Sequence, residues 1–263
     1  VIDRIKLHQK LEMINNDGLS SSKEKVSDNL SFLDGIRHRI KLAGNGPRGL
    51  AIVGSNAYIT CYFSNSLEIC NINQETNNKP LLVDLDPNKP MTQVRKGEML
   101  FNDADYCFQK WQSCASCHPD ARSDGLNWDL LNDGIGNPKN SKSMLLAHKT
   151  PPVMSLGVRA SAETAVRSGL RFIAFMICPD DDAQAIDEYL KALQPIPSPF
   201  LKNGMLSDSA KRGQTIFVKS GCSSCHKAPL YTDLQKYDVG TGIYKDKGKE
   251  FDVPTLIECW KTA

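Results

Sequence analysis

The chain has 263 residues, 24% of them charged, with a formal net charge of +2. A balance this close to neutral gives no reason to expect a nucleic-acid partner or an anionic membrane surface. The apolar run Leu170 to Cys178 is far too short to cross a bilayer, so no transmembrane segment is expected in this fragment. The sequence opens at Val1 without a signal peptide and ends at Ala263 without a stop signal, and it reads as a fragment cut at both ends.

Residues 1 to 90 read as antiparallel β structure and connections. The polar stretch NNDGLSSSKEKVSDN is expected to be a loop. After it, Ile40 and Leu42 alternate with lysine, and Leu50, Ile52 and Val53 follow a Gly-Pro turn. Ala57 to Phe63 and Leu67 to Ile72 then form a hairpin about Ser64-Asn65-Ser66. That hairpin would set Cys61 opposite Cys70, leaving two readings open, a cross-strand disulfide or two buried thiols. NNKPLLVDLDPNKP, Asn77 to Pro90, carries three prolines and reads as a connector.

Beyond the connector the pattern turns helical. Thr92 caps a helix running through Phe101. Asp180 to Asp182 open another, on which Ala185, Ile186, Tyr189, Leu190 and Leu193 recur at helical spacing until Pro195, Pro197 and Pro199 stop it. Ser207 or Asp208 caps a third, with Ile216 and Phe217 expected on its buried side. KGEMLF (Lys96 to Phe101) and RGQTIF (Arg212 to Phe217) are internal repeats, and Gly97 and Gly213 would suit close helix packing. The expected domains are 1–90, 91–200 and 201–263, the last two being one duplicated unit and the last incomplete at its C-terminus.

Each repeat leads to C-x-x-C-H: Cys114, Cys117 and His118 in the first, Cys222, Cys225 and His226 in the second. One such motif fits a disulfide, part of a zinc site or attachment of c-type haem. Two motifs in matching contexts favour haem, because two thioethers and an adjacent imidazole fit the fixed triangle of two vinyl groups and an iron. A shared tetrahedral zinc site is disfavoured, as the pairs lie over a hundred residues apart. On the far side of the first iron the candidates are Met144, His148, Met154 and Met176. Arg159, Arg167 and Arg171 are candidates to neutralise propionates. Trp128 is either a relay between haems or a core residue, and Trp111 is expected on the haem edge.

With those motifs in hand, residues 92–263 resemble the bacterial di-haem cytochrome c peroxidase family and its di-haem oxidase relatives. The resemblance rests on KGEMLF before CASCH, on HKTPPVMSLGVRASAETA, on KRGQTIFVKSGCSSCHKAPLYTD and on KEFDVPTLIECWKTA. GPRGLAIVGSNAYITCYFSNSLEICNI resembles one blade of a YVTN-type β-propeller, which implies further blades in the missing sequence. The family resemblance implies two covalently attached haems with His118 and His226 as proximal ligands. It further implies peroxide cleavage at the first haem and electrons entering at the second. It nominates Arg159 and Glu163 as catalytic groups. In SLGVRAS only Gly157 and Arg159 match the family's Trp-Asp-Gly-Arg, and Glu163 is the nearest surviving carboxylate. Lys149 replaces a calcium-binding asparagine, which puts calcium in doubt.

The fold class expected is therefore mixed and multidomain, a partial propeller blade followed by mainly α, duplicated cytochrome c-type domains. The expected function is peroxidase-like redox chemistry. The expected partners are a small electron-donor redox protein and either hydrogen peroxide or an oxidisable substrate. Two rivals stay open: a non-catalytic electron carrier, and a surface-displayed propeller binding protein with an accessory haem module. Attachment of c-type haem occurs outside the cytoplasm, so an exported protein, periplasmic or on the cell surface, is expected.

Overall fold

The computed structural model describes residues 1–16, 26, 28, 29, 31–74, 79–129 and 136–261. The chain divides into two compact units, Val1–Lys89 and Pro90–Ala263. Most of the loop expected over NNDGLSSSKEKVSDN lies outside the described residues.

The first unit begins with a helix that the β reading misses, α1 (Arg4–Asn16). Lys, Leu, Gln, Glu and Met favour helix, and Leu7, Leu11 and Ile14 repeat at the spacing that turns one face inward. Lys10 Nζ donates to the Phe32 carbonyl at 2.6 Å and lies 4.8 Å from the centre of the Phe32 ring.

Four strands follow as an antiparallel meander, β1 (Pro47–Val53), β2 (Asn56–Cys61), β3 (Ser66–Asn71) and β4 (Leu81–Asp84), in the order β1-β2-β3-β4. Burial alternates along the two inner strands, as the two-residue period of a strand requires. Ala57, Ile59, Cys61 and Cys70 form the small core. Ile40 and Leu42 do not form the expected strand; they pack, half-buried, against this core from irregular backbone. Glu68 is fully buried and accepts from the backbone N–H groups of Ala43 and Gly44, which satisfies the chain leading into β1. Gly46 adopts φ +69°, and an added Cβ would strike the Phe63 ring.

Two expectations are corrected here. Cys61 pairs with Ser66 and Cys70 with Ala57, so the thiols are not opposite; both are free and buried. The connector Asn77 to Pro90 contains β4, an edge strand exposed along its length, with prolines outside it where the ladder needs no donor. The described residues form no closed propeller or barrel.

The second unit is organised by α2 (Gln93–Asn102), α3 (Cys114–Cys117), α4 (Ala162–Phe172), α5 (Asp180–Ala192) and α6 (Asp208–Lys219). The Thr92 hydroxyl accepts from Arg95 N at 3.2 Å and fixes the start of α2. Three aspartates in the first turn of α5 face the positive end of its dipole. α2 and α5 cross at Gly97, where any Cβ would overlap the Ala185 carbonyl. This close approach lets Leu100 and Phe101 reach Ala183, Ile186 and Leu190 in the core. The Phe101 and Tyr189 rings lie 5.4 Å apart.

Two short hairpins complete the unit, β5 (Asn127–Trp128) with β6 (Lys139–Asn140), and β7 (Lys236–Tyr237) with β8 (Phe251–Asp252). The repeat in sequence is not matched by a repeat in packing. α6 buries no residue; Ile216 is 62% exposed and Phe217 only half-buried, against expectation. At Gly213 too the helix is open, and an added Cβ would meet nothing within 4 Å. No helix of the described residues is long and apolar enough to cross a membrane.

Candidate functional site

The first C-x-x-C-H motif opens onto a cavity of about 570 Å³, within the range of small-molecule and cofactor sites. Cys114, Cys117 and His118 all line it. α2 contributes Leu100 and Phe101, α4 contributes Val166 and Leu170, and the segment after β8 contributes Pro254 to Cys259. One wall thus comes from the far end of the chain, which holds the second motif.

The motif is held by a compact turn. His118 N donates to the Cys114 carbonyl and Ala121 N to the His118 carbonyl. Asp120 and Ala121 both adopt left-handed φ, +52° and +56°. His118 Nδ1 lies 3.0 Å from the Arg122 carbonyl, so it is the N–H nitrogen and Nε2 carries the lone pair. Burial pushes the imidazole below its ordinary value, with the Arg122 and Lys142 carbonyls acting against that shift. A neutral imidazole is the form that ligates a metal. Burial likewise pushes the Cys114 thiol up to about 11 and raises Cys117, so both are neutral thiols. Two thiols and one imidazole oriented by a carbonyl, on a largely apolar cavity, suit haem attachment, whereas a closed zinc site takes four protein ligands. Among the described residues no cluster of three or more His, Cys, Asp or Glu side chains is arranged to hold a metal ion.

Around the motif the polar groups are paired. Arg122, 8% exposed, forms a bidentate pair with Glu258, 9% exposed, at 2.9 Å for both contacts. Lys142 Nζ contacts Asp252 at 2.6 Å, and burial pushes the Asp252 carboxyl up. Tyr106, also on the cavity wall, donates to Asp182 at 2.7 Å, which raises its phenol to about 12.

The nominated residues divide. Met144, Met154 and Arg159 line the cavity; Met176 does not. His148 is not on the wall either, and its Nε2 contacts Asp187 at 3.0 Å. Glu163 stands beside it on the outer surface of α4, 4.0 Å from His148 and 3.6 Å from Lys191. The expected pair of Arg159 and Glu163 is therefore split. Arg167 binds Asp187 and Asp180, and Arg171 lies over Phe172, so neither faces the cavity. Trp128 sits on the rim, 38% exposed, its indole donating to Asp124; it is not a core tryptophan. Trp111 is 64% exposed and off the wall.

The second motif is more open. Gly221 takes φ +77° and turns the chain from α6 into Cys222, which is exposed, while Cys225 and His226 are half-buried. His226 Nδ1 lies 2.9 Å from the Tyr231 carbonyl, repeating the imidazole-to-carbonyl contact of the first motif. The Phe217 ring lies 6.4 Å from the imidazole. Arg122, Asp252 and Glu258 are the site residues that sequence reasoning misses. Arg122 follows the motif by four residues and was readable; the other two reach the cavity only through tertiary structure.

A glycine crossing of α2 and α5, with C-x-x-C-H motifs downstream of α2 and α6 and a cavity at the first pair of cysteines, is the pattern of a cytochrome-related fold. No family model matches the chain. It is 33% identical over 192 residues to hydrazine synthase subunit gamma of Kuenenia stuttgartiensis, which is 62% of this chain and 54% of that relative. The chain thus spans about half the length of the curated relative it matches. A solved structure of Kuenenia stuttgartiensis hydrazine synthase superposes with a TM-score of 0.60 at 28% identity, over 66% of this chain and 74% of that one. A MauG-like protein associated with microbial copper homeostasis superposes with a TM-score of 0.50 at 18% identity, over 64% and 68% of the two chains, a likeness of fold.

Proposed function

We propose that the chain is a di-haem c-type redox module, with haem attached at Cys114 and Cys117 and again at Cys222 and Cys225. His118 and His226 are the proximal ligands. The observation that carries this reading is the cavity of about 570 Å³ lined by both thiols and the imidazole of the first motif. Bound haem would supply one-electron chemistry and an iron at which a peroxide can be cleaved. The protein's part is to orient His118 through the Arg122 carbonyl, to exclude water with the apolar walls from α2 and α4, and to place charge at the cavity. Arg159 supplies a cation there. Asp252, with its carboxyl raised by burial, replaces Glu163 as the acid–base group that moves a proton at the cavity.

The reaction class is oxidoreduction of a small molecule at the first haem, with electrons passing from a donor protein through the second. Likeness to a subunit of hydrazine synthase supports a role as one component of a redox enzyme. The four-stranded sheet is read as one blade of a propeller, and the protein as exported. Peroxide titration of protein made in a host that attaches c-type haem tests the reading. Two covalent haems per chain, one spectrally responsive to peroxide, support it; a chain without covalent haem overturns it.

One observation favours a second reading. Met144 and Met154 both line the cavity, and a thioether on the iron would make the first haem a six-coordinate electron carrier. Two low-spin haems, both silent to peroxide, would select this reading.

A further inference from the structure

We propose that Glu258 is a positioning residue for His118, acting through Arg122, so that the C-terminal wall of the cavity sets the redox poise of the first haem. This inference rests on the haem reading of the first motif. Glu258 accepts from Nε and Nη2 of Arg122 and also from the backbone N of Ile196. The guanidinium's remaining contacts are the carbonyls of Asp120 and Gln194. Every bond restrains the residue whose own carbonyl takes the His118 N–H at 3.0 Å.

The local backbone calls for such a tie. Asp120 and Ala121 are consecutive non-glycine residues at left-handed φ, and Glu258 itself stands at φ +63°. Conformations of this kind persist where the surroundings over-determine them. At the second motif the equivalent carbonyl belongs to Tyr231, a residue 42% exposed that, among the described residues, makes no side-chain tie to a distant segment. Glu258 and Arg122 are 136 residues apart, so the tie exists only in the folded unit.

A proximal N–H bonded firmly to a carbonyl gives the imidazole more anionic character and favours the ferric iron. Loosening Arg122 weakens that bond and moves the balance toward ferrous. The test is a spectroelectrochemical titration of the full two-haem chain and its Glu258→Ala, Glu258→Gln and Arg122→Lys variants, with the second haem as internal reference. Glu258→Ala and Arg122→Lys are expected to reduce the ferric preference of the first haem about tenfold, a rise of ~59 mV for one electron. Glu258→Gln leaves one accepting oxygen where Glu258 uses two, and sets an amide N–H against a donor, so it should give a smaller shift of the same sign. Arg122→Lys retains the charge and decides the matter if Glu258→Ala fails to fold. Both haems attached with unchanged potentials in these variants overturns the inference. Haem missing from Cys114 and Cys117 in the parent chain overturns the haem reading itself.

Discussion

The Nε2 atom of His148 lies 3.0 Å from Oδ1 of Asp187, whose other oxygen takes Arg167 at 2.7 Å. That arrangement places the imidazole in a buried charge cluster behind the cavity wall. His148→Ala should therefore leave haem content and the absorption spectrum unchanged. It should lower stability by about 1–3 kcal/mol, the cost of leaving a buried acceptor short of a partner. Loss of a low-spin spectrum in the variant would instead put His148 on the iron.

The two repeated glycines make a paired prediction. At Gly97 a Cβ would overlap the Ala185 carbonyl, whereas at Gly213 it would meet nothing. Gly97→Ala should force α2 from α5 and cost at least about 1–3 kcal/mol. Gly213→Ala should be neutral or stabilising by up to about 1 kcal/mol, because alanine is the better helix former. Thermal unfolding of both variants checks this, and equal effects would mean that the two helices are packed alike.

Asp252→Asn tests the acid–base assignment. The variant keeps the shape of the side chain and removes the titrating proton. Reaction of the first haem with peroxide should slow by about 10²–10⁴, while folding is preserved or strengthened because a buried carboxylate is replaced by a neutral amide. Stopped-flow traces on the parent and the variant give the ratio. An unchanged rate would remove Asp252 from the chemistry.

How much of this was readable follows from where each signal lies. Thr92, the Asp180 to Asp182 turn and Ser207 announce their helices locally, and all three helices start there. The haem motifs are equally local. The pairing of Cys61 was not: a shift of register sets it against Ser66 rather than Cys70, and only the strand ladder decides that. Burial of α6 failed because amphipathic spacing states which face is apolar, not whether anything covers it. Glu163 and Arg159 are close in sequence, yet Arg159 lies in a bridge to Val153 ahead of α4 and lines the cavity, whereas Glu163, in the first turn of α4, does not. Asp252 and Glu258 reach the site through pairings with β7 and Arg122, information that no short window contains.

Acid should weaken the second unit over a defined range. Burial acts to raise Asp187, but hydrogen bonds from His148 and Arg167 outweigh it and hold the carboxyl below its ordinary value of 3.8. The hydrogen bond from Arg122 holds Glu258 below 4.5. Both groups bind protons less readily when folded than when unfolded, so the unfolded chain gains protons first as pH falls. Their stabilisation is complete above those ordinary values and is lost as pH drops through the lower folded ones. Asp252 runs the other way: burial raises it, so it opposes folding at neutral pH, and that opposition fades on acidification. Urea midpoints measured from about pH 6 to about pH 2.5 should fall below pH ~4.5 in the parent. In the double variant Asp187→Asn, Glu258→Gln the curve should start lower and be flatter. A double variant with the parent's slope would assign the acid sensitivity to other carboxylates, Asp182 with its Lys96 and Tyr106 partners being the next to test.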